Sequence, residues 1–253
     1  MDVLKVATDE LNLRREPRQV PTNVIVALPL GHDVTVVSGP PGEKWWEVET
    51  EVDGEAKRGF VSSAFLRKPA TEPREKLIAE AMKQFLRFKR GAGREDIVPF
   101  SDMVGEFWQA LGISLTGKNR EQPWSAAYIS FITRRAGYQR FPFAEAHATY
   151  INDAIKKRET GKDADYWGFR LNEHRPALGD LVAGWRGKKV TFDTRPAGFF
   201  ASHTDVVVEV RATSIRTLGG NVGNSVKMKT FALDAGGFLK PQGSLFAILR
   251  NNN

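Results

Sequence analysis

The chain has 253 residues, of which 41% are hydrophobic and 26% charged, and a formal net charge of +7. That balance suits one large or two moderate globular domains and excludes gross disorder. There is no cysteine, which excludes disulfides, thiolate metal sites and thiol catalysis, and no run of about 18 apolar residues offers a membrane-spanning helix.

The first stretch reads as short strands. Leu11–Arg14 alternates, and Val24–Leu28 and Asp33–Val37 are β-branched. Trp45–Thr50 follows, with a hairpin signal at Asp53-Gly54, then Arg58–Val61 and Ala64–Leu66. Short strands with turns between them predict an all-β barrel over residues 1–68. Trp45, Trp46 and Phe60 are its candidate ligand-facing aromatics, and at least one of the tryptophans is equally expected to fill the barrel core.

Residues 69–76 read as a linker around Pro69 and Pro73, with Thr71 capping a helix. Leu77, Ile78, Ala81, Met82, Phe85 and Leu86 recur at helical spacing up to Gly91. Further helices are predicted at 103–111, 125–135 and 144–157, and the charged stretch 158–176 as a loop. Strands follow at 180–185, 205–210, 225–229 and 244–249. Helices first and strands after predict an α+β domain over 77–253.

Ser125 opens the third of these helices, after Pro123-Trp124. A helix N-terminus favours a developing anion, which suits a nucleophile, and serine there is equally a common cap. His203 begins the strand that continues to Val210, and Asp205 lies two residues on, on the same strand face. Asn221 follows in the turn Gly219-Gly220-Asn221. Nucleophile, base and orienter in that order are the parts of an acyl-transfer site. His147 either lines the cleft or sits on an amphipathic helix, and Trp124, the aromatic beside the serine, is with it a candidate substrate-binding residue. The four histidines, His32, His147, His174 and His203, show no i, i+4 pairing or HExxH. No metal site or cofactor is therefore expected.

Three resemblances attach to these residues. "LNLRREP", "ALPLGHDVTVV", "KWWEVE" and "RGFVSSAFL" resemble a bacterial SH3 (SH3b) domain, which implies an SH3-like barrel that targets peptidoglycan. "PALGDLV" resembles the strand entry of the CHAP and NlpC/P60 amidases, which implies a papain-like α+β domain with Ser125 at the position of their cysteine and His203 as base. In the CHAP pattern E-x-N, Asn221 takes the place of the asparagine that orients the histidine, and Gly219 replaces the glutamate. "PWSAAYISFITRRAG", "FPFAEAHATYI", "SHTDVVVEV" and "TLGGNVGNSV" resemble a bacterial relative of the CHAP amidases in which serine is the ordinary residue at this position.

The function these imply is a hydrolase that cleaves an amide or peptide bond in peptidoglycan by Ser-His-Asn acyl transfer. The alternatives are a silent wall-binding protein on the same scaffold and a serine hydrolase or acyltransferase acting on another ester or amide. Residues 1–69 hold 9 Lys/Arg against 11 Asp/Glu, and the remainder 28 against 19. The basic excess of the second domain points to an anionic envelope polymer, with no nucleic-acid motif to suggest that partner instead. The expected place of work is periplasmic or extracellular, and Met1-Asp2-Val3-Leu4-Lys5 does not read as a signal peptide.

Overall fold

Alternating apolar residues in the first third of the chain build one sheet. The computed structural model describes residues 2–253, and its contacts divide the chain into two units, Met1–Glu75 and Lys76–Asn253. Among the described residues the first unit carries strands β1 (Val3–Val6), β2 (Glu10–Arg14), β3 (Val24–Pro29), β4 (Asp33–Ser38), β5 (Trp45–Val52), β6 (Glu55–Ser62) and β7 (Leu66–Arg67). The longest pairing is the hairpin of β5 and β6, in register from Trp45↔Ser62 to Val52↔Glu55. Its turn residues Asp53 and Gly54 both have positive φ, 54° and 78°, as a two-residue hairpin loop requires. Val6, Leu11, Leu13, Leu28, Val34, Val48 and Val61 form the core on one side.

The sheet does not close. Its order is β3-β2-β6-β5-β4-β1-β7, and every pairing is antiparallel. Closure would require β3 to pair with β7, yet β7 has two residues and both are taken up by β1. β2 meets β6 only at Arg14↔Phe60. An open seven-stranded sheet therefore replaces the expected SH3-like barrel.

The second unit departs from expectation in the same direction. Four helices, α1 (Glu72–Arg87, which starts before the division), α2 (Phe100–Gln109), α3 (Ser125–Arg135) and α4 (His147–Glu159), accompany a second antiparallel sheet. Its strands are β8 (Tyr166–Phe169), β9 (Leu181–Trp185), β10 (Ser202–Val210), β11 (Ser214–Gly219), β12 (Lys227–Ala232) and β13 (Leu245–Asn251), in the order β12-β11-β10-β9-β13-β8. The described residues thus form mostly two antiparallel sheets with four short α-helices, and this corrects the expected barrel followed by a papain-like α+β domain. β8 occupies part of the predicted loop: Tyr166 and Gly168 are buried, and the strand pairs with β13. No helix among the described residues is long and apolar enough to cross a membrane.

Two elements position the site. β10 lies inside the sheet between β9 and β11 and is buried from His203 to Glu209, as its β-branched run Val206-Val207-Val208 favours. α3 is buried from Ser125 to Thr133 and packs on α2, β10 and β11.

Candidate active site

Ser125 and His147 each stand on the first turn of a helix. The start of α3 is fixed by Trp124, whose indole N–H donates to Glu95 Oε2 at 2.5 Å while its ring packs between Phe88 and Phe107. No side chain caps this helix, and the residue before it is Trp124. The Ser125 hydroxyl is thus free of capping and lies 2.6 Å from His147 Nε2. His147 opens α4. Its Nδ1 lies 3.0 Å from Thr204 Oγ1 and in hydrogen-bond contact with the Tyr150 hydroxyl, which lies 3.0 Å from Thr204 Oγ1. Both ring nitrogens are therefore engaged by hydroxyl groups.

Beside this ring is a second one. The His147 and His203 ring centroids are 5.3 Å apart. His203 Nε2 is 2.8 Å from Asp205 Oδ1, and Lys229 Nζ reaches Asp205 Oδ2 at 2.6 Å. Ser125, His147, His203 and Asn221 line one cleft of about 700 Å³, with Arg186 and Phe199 on its wall.

The electrostatics of the two histidines differ in cause. Burial above all, and then His203, hold the His147 pKa well below the ordinary 6.5, with Asp205 acting in the opposite sense. His147 is thus a neutral imidazole at pH 7. Burial alone would raise the Asp205 pKa, but His203 and Lys229 outweigh it and bring it down to about 2. Burial lifts the Tyr150 pKa well above its usual value, so its hydroxyl keeps its proton.

The arrangement departs from the predicted one in its pairing. Ser125 is bonded to His147, and the carboxylate on His203 is that of Asp205. Asn221 lies on the cleft wall with φ of 54°. Trp124 is 1% exposed and belongs to the aromatic core. In the first unit, Trp46 shares a strand face with the core residue Val48 and pairs with Val61, and its indole N–H donates to Pro40 O at 3.2 Å. Trp45 and Phe60 lie on the opposite face, since Phe60 pairs with Glu47. Thr204, Tyr150 and Lys229 are site residues that the sequence reading passed over. Tyr150 follows His147 by three residues, a spacing that places both on one helix face.

Residues 95–250 match the family model described as "Uncharacterized protein conserved in bacteria (DUF2272)". No curated protein matches the chain. Among solved structures, NlpC1 from Trichomonas vaginalis is similar at 13% identity and a TM-score of 0.35, over 99% of this chain and 69% of that one. NlpC2 from the same organism is similar at 13% identity and a TM-score of 0.31, over 97% and 71%.

Proposed function

The chain belongs to the DUF2272 family, and from the geometry of its cleft we propose that it is a serine hydrolase that cleaves an amide or peptide bond in peptidoglycan. The observation that carries this reading is the 2.6 Å contact between Ser125 Oγ and His147 Nε2, on a cleft large enough for a peptide segment. With the His147 proton on Nδ1, donated to Tyr150 Oη, and the Tyr150 hydroxyl donating to Thr204 Oγ1, Nε2 is left to accept from Ser125. Ser125 Oγ then attacks the carbonyl carbon as His147 Nε2 takes its proton. The backbone N–H of Ser125 is unspent at the helix start and can hold the oxyanion. Collapse expels the amine, which takes the proton, and water releases the acyl group by the same route.

His203, braced by Asp205, is the second acid–base group on the cleft. Its place on the cleft lining supports a role in exchanging a proton with the leaving amine or the entering water. The basic excess of residues 70–253 supports an anionic wall polymer as substrate and an envelope location. Lysis of purified sacculi, read by turbidity and by zymogram, tests the reading. Full-length protein should lyse them, and Ser125→Ala should not. Silence from wild type, Ser125→Ala and Ser125→Cys alike would leave a wall-binding protein without catalysis.

The base is separately testable. His147→Gln should reduce kcat/KM by about 10³-fold or more, and His203→Gln by less. The opposite order would return the role of base to His203. Because the neutral form of His147 does the work, activity should fall only as pH drops through its lowered pKa, below the ordinary histidine range. His203→Gln removes a group that lowers that pKa, so the acid limb of kcat/KM should move up towards 6.5. Asp205→Asn removes one that raises it and should move the limb down.

A further inference from the structure

Arg186 belongs to two hollows at once. It lines the cleft that holds Ser125 and His147, and it lines a second cavity of about 300 Å³ walled by His203, Asp205, Lys229 and Ser244. Its backbone N–H is used, donating to Ala201 O at 2.8 Å. Its guanidinium has no hydrogen-bond or ion-pair partner among the described residues. Its charge nevertheless reaches His147, whose pKa it helps to lower. A planar cation with all five donors unspent thus stands within electrostatic range of the proposed base.

Phe199, on the same connection between β9 and β10, lines the same cleft and is 78% exposed, the highest value among the exposed large hydrophobics. Leaving a phenyl ring in water forfeits the favourable burial of its apolar surface. The ring is not on a loose tip. Asn152, on α4, donates from Nδ2 to the carbonyls of Pro196, Ala197 and Gly198 at 3.1, 3.0 and 3.1 Å, and accepts from Arg195 Nε at 3.0 Å. The helix that carries His147 therefore also fixes the backbone that presents Phe199. A solvated aromatic and an unpaired guanidinium on one cleft are what a substrate with an apolar portion and an anion would cover.

We propose that Phe199 and Arg186 form the substrate-binding rim of this cleft and select peptides with a free carboxylate, the ring packing on the apolar part and the guanidinium taking the carboxylate. This rests on the peptidoglycan reading above and names the chemical feature of the substrate that the site holds. Lys188 and Lys189, two and three residues on, add positive charge to the same connection. Glu145 is the carboxylate on the cleft wall, and it is exposed. It supplies a control, because it should not assist an anionic ligand.

The test is calorimetric binding to full-length Ser125→Ala protein, which holds substrate without cutting it. The probes are the muropeptide pool released from sacculi by a muramidase and the same pool with its carboxylates amidated. Adding Arg186→Met should weaken binding of the free-acid pool on the order of tenfold and leave the amidated pool nearly unchanged. Phe199→Ala should weaken both pools, and Glu145→Gln should weaken neither. Arg186 and Phe199 are exposed, so these variants should fold. An unchanged preference between the pools in Arg186→Met, or no binding of either pool by the parent, overturns the proposal. Arg186-dependent binding by a protein whose wild type fails to lyse sacculi would keep the rim and refute the hydrolase alone.

Discussion

Ser125→Ala is expected to lower the rate of sacculus lysis by about 10⁴-fold or more, because the residue supplies the nucleophile and its hydroxyl is the one held against His147 Nε2. Some loss of stability should accompany it. Ser125 is 6% exposed, and its removal leaves His147 Nε2 buried without its partner, a cost of about 1–3 kcal/mol. Binding of wall fragments should persist. Ser125→Cys is the more discriminating variant. A thiol nucleophile works best beside a protonated imidazole that stabilises the thiolate, and burial together with His203 disfavours that protonated form of His147. The 2.6 Å contact also leaves little room for the larger sulfur atom. The site thus suits a neutral hydroxyl–imidazole pair, and Ser125→Cys should be less active than wild type. Lysis by Ser125→Cys above the wild-type rate would show a thiol scaffold with the wrong nucleophile. Equal lysis by wild type and Ser125→Ala would place the chemistry elsewhere.

The parts of this site that are local in sequence are legible there. Pro123 followed by a run of small and apolar residues announces the start of α3, and the two-residue spacing of His203 and Asp205 on a strand announces their shared face. The partnership of Ser125 with His147 is not legible, because 22 residues separate them and the phrase around His147 reads equally well as a helix face. The first unit has the same difficulty on a larger scale. Alternation predicts strands, but an open sheet and a closed barrel use the same alternation. The difference lies in whether the outer strands are long enough to meet, and β7 has two residues. β8 hides for a different reason: charged residues on both sides conceal an aromatic alternation, Tyr166-Trp167-Gly168-Phe169, whose burial comes from packing against α4 and pairing with β13.

Gly219→Ala should be the second damaging change, although it adds a single methyl group at the end of β11. A Cβ at this position would fall 1.8 Å from Asp205 Oδ1 and 3.1 Å from His203 Nε2. The first distance is impossible, and the atom in the way belongs to a carboxylate 1% exposed and bonded on both sides. A side chain at 219 and the His203–Asp205 pair therefore exclude each other. The methyl group should push Asp205 off His203 and break a buried ionic arrangement, a loss of about 3–5 kcal/mol. The pH dependence identifies the cause. The folded pKa of Asp205, about 2, lies below the usual aspartate value near 3.8. Its contribution is therefore fully present above the unfolded pKa and is lost as pH falls through the folded one. Urea unfolding should thus show the largest gap between wild type and Gly219→Ala at neutral pH, narrowing between about pH 4 and pH 2. Asp205→Asn should follow the same curve, and the His203 ring resonances should shift in both variants. Wild-type stability in Gly219→Ala, with unshifted His203 resonances, would show that Asp205 does not occupy this space. A gap that persists unchanged to pH 2 would assign the damage to the β11 backbone rather than to the carboxylate.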